Sequence, residues 1–155
     1  MAKAETVVNE SELQSWNLSI RTTLLPKETN HHGTIFGGVI LSYIDVAGAI
    51  EAKRYCLQMV VTVAMKEVVF VEPVYVGDLI SFYTRIVRVG RTSITVEVKV
   101  VATREDFHKS RMQVTDAVVT YVAVDKNREA EPILKRPFEA DPPAFHPDLV
   151  ADSAP

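Results

Sequence analysis

The sequence predicts an α+β domain in which one long helix lies against a mostly antiparallel sheet. Three observations lead there: a single apolar stretch of helical character over residues 39–57, a switch to period-two alternation after Gln58, and turn signals between the later apolar runs. A first strand is assigned to residues 16–25, closed by Pro26. The helix over 39–57 is apolar nearly all round in its first three turns and becomes charged at Glu51, Lys53 and Arg54. Gly33, Gly37 and Gly38 mark a loop feeding its N-terminus. Gly48 inside it lowers helix propensity by about 1 kcal/mol relative to Ala, which predicts that another backbone approaches closely there.

Four strands follow. Residues 60–71 are rich in β-branched side chains and stop at Glu72-Pro73, where Pro73 bars a central strand. Residues 79–89 come after the turn signal Val76-Gly77-Asp78 and place Ile80, Phe82 and Ile86 on one face. Residues 93–103 alternate most clearly, with Ile94, Val96, Val98, Val100 and Ala102 opposed to Ser93, Thr95, Glu97 and Lys99. Gly90-Arg91 joins these two as a tight hairpin. A last strand spans 111–124, reached through the polar segment 104–110. A helix apolar on most sides and a sheet with one apolar face are both satisfied if the sheet curls around the helix.

With 155 residues, 47% of them hydrophobic, the chain is long enough for one core. Its organisation reads as an N-terminal extension over 1–14, one domain over 15–125, and a tail over 126–155. That tail carries Pro132, Pro137, Pro142, Pro143, Pro147 and Pro155 and is expected to be irregular or packed on a neighbouring subunit. A net charge of −3 gives no general pull toward nucleic acid. The lone Cys56 cannot form an internal disulfide, and the first residues lack a basic region followed by an apolar signal stretch, so the expected compartment is the cytoplasm. No uncharged apolar run approaches the roughly 18 residues of a membrane span, and membrane insertion is not expected.

Asp45 interrupts the apolar helix. An unpaired buried carboxylate costs several kcal/mol, so a charge in that stretch asks for a reason. The segment Thr29-Asn30-His31-His32-Gly33-Thr34-Ile35-Phe36-Gly37-Gly38, followed by Asp45, resembles the signature of hotdog-fold acyl-CoA thioesterases of the YciA type. Val60-Val61-Thr62-Val63-Ala64, Val76-Gly77-Asp78, Val89-Gly90-Arg91-Thr92-Ser93 and Thr115-Asp116-Ala117-Val118 match in the same order, so the resemblance covers about residues 24–124. It implies a helix wrapped by an antiparallel sheet, dimers whose sheets join edge to edge, assembly into hexamers as trimers of dimers, and hydrolysis of acyl-CoA to CoA and a carboxylic acid. No metal or redox cofactor is implied.

Thioester hydrolysis needs an activated water or a nucleophile, and donors aimed at the oxygen that becomes negative. Asp45 supplies the first, either as general base or by direct attack to form an anhydride. The helix N-terminus at Gly37 and Gly38 offers backbone N–H groups and the positive end of a dipole. Asp45 lies about two turns beyond Gly37, roughly 10 to 12 Å along the axis, too far for both to act on one carbonyl in a single subunit. A symmetric dimer that sets Asp45 of one subunit against the Gly37-Gly38 turn of the other resolves this. Asn30 offers an amide to carbonyl and water, and the resemblance places it in the site; the other reading is an Asx-type turn beside Gly33.

The phosphates of coenzyme A require cations. Arg88, Arg91 and Ser93 cluster at a hairpin that the resemblance puts near the nucleotide, with Lys53 and Arg54 as second candidates and Thr62 toward the acyl or pantetheine end. Val39 and Tyr43 are candidates for setting chain length. His31-His32 is not read as a metal site, because adjacent side chains in an extended segment diverge and neither His108, His146 nor Cys56 has ligand spacing to them. Cys56, at the charged helix end with no histidine nearby in sequence, is read as structural. A dehydratase would need a His-Phe-Pro style segment, which is absent. The alternative of another class is a non-catalytic acyl-CoA-binding sensor or carrier. It would not need Asp45, and a transcriptional sensor would add a DNA-binding segment longer than the first 15 residues.

Overall fold

The computed structural model describes residues 7–104, 110–137 and 140–149. Parts of the expected N-terminal extension (1–6), of the polar connection (105–109) and of the tail (138, 139 and 150–155) lie outside the described residues. Strand β1 is Asn17–Thr22, helix α1 is Gly37–Tyr55, and strands β2 to β5 are Met59–Phe70, Leu79–Val89, Ser93–Arg104 and Ser110–Val124. Every strand pair is antiparallel, in the order β1-β3-β4-β5-β2. The helix lies in the curve of this sheet, where Ile40, Ile44 and Ala47 meet Phe82, Ile86, Val96, Val98, Val119 and Tyr121 in one core.

Period-two alternation is realised most cleanly in β4, where Ile94, Val96, Val98, Val100 and Ala102 are all buried. Val101 is buried as well, on the opposite face, because Val8, Leu13 and Trp16 of the N-terminal segment cover the outside of the sheet there. Three residues connect β3 to β4, closed by Gly90 N–H donating to the Ser93 carbonyl at 2.8 Å.

The helix differs from the expected 39–57 in both ends. It begins at the glycine pair itself, with Phe36 in an extended conformation as N-cap and no side-chain cap bond. It stops at Tyr55 because Cys56 turns into an extended conformation and bridges to Lys135 of the tail. Gly48 admits a side chain rather than another backbone: a Cβ there would stand 2.2 Å from the Tyr121 hydroxyl oxygen.

Glu51 departs furthest from expectation. It is fully buried, not part of a solvated charged end. Its carboxylate accepts bonds from Arg54 Nη1 at 2.7 Å, Thr84 Oγ1 at 2.7 Å, the Ala144 backbone N–H at 2.6 Å and Asn17 Nδ2 at 3.2 Å. The helix, β1, β3 and the tail therefore converge on one anion, whose desolvation is met by several donors.

The tail, over its described residues, packs on its own subunit. Glu131 N–H bonds to the Ala123 carbonyl, Ile133 N–H to Arg91, Leu57 N–H to Leu134 and Arg136 N–H to Tyr55, all between 2.7 and 3.0 Å. Further on, Phe145 forms a parallel bridge with Ile86. No helix among the described residues is long and apolar enough to cross a membrane.

Candidate active site

Asp45 sits in the third turn of α1, off the buried stripe of that helix, and is half-buried within a single subunit. Its carboxylate oxygen Oδ1 accepts a 2.6 Å hydrogen bond from Thr62 Oγ1 on β2, while its backbone carbonyl accepts one of 2.7 Å from the Tyr121 hydroxyl on β5. Thr62 and Tyr121 are themselves register partners across the β2–β5 ladder. Two adjacent strands thus hold both ends of the same residue. Burial, and secondarily the negative charge of Asp45, push the Tyr121 phenol well above its ordinary value, so it is a fixed neutral donor.

A groove of about 620 Å³ opens beside Asp45, lined by Asp45, Ala49, Lys53, Arg54, Val60, Thr62 and the tail residues Arg136 and Asp141 among others. Four residues singled out in the sequence, Asp45, Thr62, Lys53 and Arg54, meet here. Lys53 Nζ donates to the carbonyls of Leu57 and Gln58 at 3.3 and 2.8 Å, satisfying the chain just beyond the helix end. Arg54 is held by Glu51, Ser19 and Asp141 at 2.7 to 2.8 Å.

Gly37 lines a different cavity of about 340 Å³, with Thr34, Ile40, Phe70 and Glu72. Eight residues of helix separate it from Asp45, roughly 12 Å along the axis. One subunit does not bring the carboxylate and the helix N-terminus together. Asn30 is turned into its own loop: Oδ1 accepts from His32 N–H at 2.9 Å and Thr34 N–H at 3.3 Å, and Nδ2 donates to Thr34 Oγ1 at 2.9 Å. His31 and His32 are in a turn, not an extended segment, and their ring centroids are 3.8 Å apart, so the divergence assumed for neighbours does not occur. No group of three or more metal-binding side chains forms among the described residues.

Arg88 and Arg91 are exposed at the β3–β4 hairpin and Ser93 is half-buried there; none of the three lines the groove that holds Asp45. Val39 and Tyr43 pack against the core, Tyr43 stacked on Phe82 at 5.6 Å. Burial raises the Cys56 thiol above its ordinary value. Sequence reasoning missed Tyr121, Arg136 and Asp141. Tyr121 falls on an alternating strand and reads as core. The two tail residues sit among prolines with no periodicity to place them.

This sequence and fold match known proteins. A model of the thioesterase superfamily matches residues 32–106. The acyl-CoA thioester hydrolase YciA of Salmonella typhimurium is 38% identical over 118 residues, covering 75% of this chain and 89% of the relative. Among solved structures, a hexameric hotdog-fold thioesterase of Campylobacter jejuni is 46% identical, with a TM-score of 0.74 over 78% of this chain and 92% of that one. A hexameric broad-specificity acyl-coenzyme A thioesterase, solved as a variant with an aspartate replaced by alanine, is 41% identical with a TM-score of 0.74, covering 76% and 86%. The chain belongs to the hotdog-fold thioesterase superfamily, in its YciA-like acyl-CoA thioester hydrolase family.

Proposed function

We propose that the protein hydrolyses acyl-CoA to CoA and a free carboxylic acid at sites shared between two subunits of a homodimer. The observation that carries this reading is the presentation of Asp45: its carboxylate faces a groove and is anchored through Oδ1 by Thr62. As general base it takes a proton from water while the water oxygen attacks the thioester carbon; as nucleophile it attacks that carbon itself, and water cleaves the anhydride. Along either route the carbon–sulfur bond breaks and the CoA thiolate departs and is protonated.

The oxyanion is assigned to the N–H groups at Gly37 and Gly38 of the partner subunit, because within one subunit Gly37 lines a cavity other than the one that holds Asp45. Asn30 Nδ2 spends one of its two N–H bonds on Thr34, and the second is available to the substrate carbonyl. Edge strand β2 is the surface for dimerisation: among the described residues it pairs only with β5, and Met59, Val63, Val69 and Phe70 along it are exposed. The hexameric relatives support assembly of three such dimers. Arg88, Arg91 and Ser93 are assigned to the nucleotide end, and the enzyme to the cytoplasm.

The test is thiol release from acyl-CoAs spanning short, long and aromatic acyl groups, with the oligomeric state measured in the same buffer. Turnover by a dimer or a multiple of it is expected. Tight binding of CoA esters without thiol release would replace this reading with that of a sensor or carrier.

A further inference from the structure

The groove beside Asp45 has a wall that the helix and sheet do not supply. Its outer side is the C-terminal tail, through Arg136, Pro137, Ala140 and Asp141. This wall is fixed at both ends. Before it, Leu134 accepts from Leu57 N–H at 2.9 Å, Arg136 N–H donates to Tyr55 at 2.7 Å, and Gln58 bonds to Pro132 and Leu134 at 2.6 and 2.8 Å. After it, Asp141 bonds to Arg54 at 2.8 Å, the Pro142 carbonyl accepts from Asn17 at 2.9 Å, and Ala144 N–H reaches buried Glu51 at 2.6 Å.

Position and charge then single out Arg136. Its backbone is bonded to Tyr55, ten residues beyond Asp45, roughly 15 Å along the helix axis. A thioester carbonyl at Asp45 with its pantetheine arm laid toward the helix C-terminus carries its diphosphate a distance of that order. The C-terminal end of a helix repels phosphate through its dipole. Of the cations lining the groove, Lys53 is engaged by two carbonyls and Arg54 by Glu51 and Asp141. Arg136 is exposed, and among the described residues no partner holds its guanidinium.

We infer that Arg136 binds the phosphates of the CoA moiety, delivered to the site by a tail that Glu51 and Arg54 pin in place. The inference rests on the acyl-CoA hydrolase reading above. It makes the tail part of the substrate site, with the wall and Asp45 contributed by the same subunit.

The experiment compares the parent enzyme with Arg136→Ala and Arg136→Lys on two substrates of the same acyl group, acyl-CoA and the phosphate-free acyl-pantetheine. For Arg136→Ala the expected result is a roughly tenfold higher KM for acyl-CoA with kcat within about twofold, and unchanged kinetics on acyl-pantetheine. Arg136→Lys restores part of the loss, since a point charge replaces the bidentate fork. Unchanged KM for acyl-CoA, or an equal loss on both substrates, overturns the inference while leaving the hydrolase reading intact. A parent that releases no thiol from acyl-CoA overturns that reading, and the inference with it.

Discussion

Thr62 Oγ1 donates a 2.6 Å hydrogen bond to Asp45 Oδ1, joining the edge strand of the sheet to the middle of the central helix. The bond leaves the rest of the Asp45 carboxylate to the groove and fixes its orientation. Removing the hydroxyl with Thr62→Val keeps the side-chain shape. A charge-assisted bond of this kind is worth about 1.5 kcal/mol, so kcat is expected to fall roughly tenfold, with KM changing less. Steady-state kinetics on one short acyl-CoA check this. Undiminished kcat would remove Thr62 from the site.

Complementation tests the shared site. Gly37→Ala is expected to fold, because an added Cβ meets only the Phe70 ring at an ordinary 3.5 Å, yet it crowds the proposed oxyanion position. Mixing inactive Asp45→Asn with inactive Gly37→Ala by unfolding and refolding together produces heterodimers with one site doubly altered and the other native. About a quarter of native activity should return. No recovery from a mixture shown to contain heterodimers places both groups in one subunit's site.

Tyr121 sits over Gly48 with its hydroxyl on the Asp45 carbonyl. Gly48→Ala is expected to cost about 1 to 3 kcal/mol through overpacking, and Tyr121→Phe to restore part of it by removing the oxygen in the way. Denaturant unfolding of the two single variants and the double variant gives the coupling.

The same tyrosine sets an alkaline limit. Burial first, and Asp45 second, hold its phenol protonated well above the ordinary value, so the folded state retains a proton that the unfolded state releases. Its contribution is whole below the unfolded value of about 10 and is lost as pH rises beyond it. Stability of the parent should therefore fall more steeply than that of Tyr121→Phe above about pH 10. Parallel curves would contradict the assignment.

Glu51→Ala removes the acceptor on which four segments converge. Breaking a buried pair costs about 3 kcal/mol, which for a chain of this size lowers Tm by on the order of 10 °C. A thermal scan beside the parent checks it, and a shift under a few degrees would show that the cluster carries little stability.

The strand pattern was legible because alternation survives wherever one face is buried, as β4 shows with five inward residues at spacing two. The helix was legible as an element and misread as a surface. Its buried positions, Ile40, Ile44, Ala47, Gly48, Glu51, Ala52 and Tyr55, recur at three- and four-residue steps, and that stripe includes Glu51 and passes by Asp45. Periodicity alone therefore separates the structural carboxylate from the groove-facing one. Grouping Glu51 with Lys53 and Arg54 as a charged helix end concealed the difference. The tail had no such signal: its contacts run through backbone N–H and C=O groups, which every residue carries, so composition could not place it on its own subunit.

The most direct test of Asp45 is thiol release from a good acyl-CoA substrate by the parent and by Asp45→Asn at equal concentration, with matched circular dichroism and oligomeric state. The substitution keeps the shape and removes the basicity. A kcat lower by at least about a hundredfold is the expected result. A variant that retains most of the parent's kcat would contradict Asp45 as base or nucleophile and send the search to the other groups lining the groove.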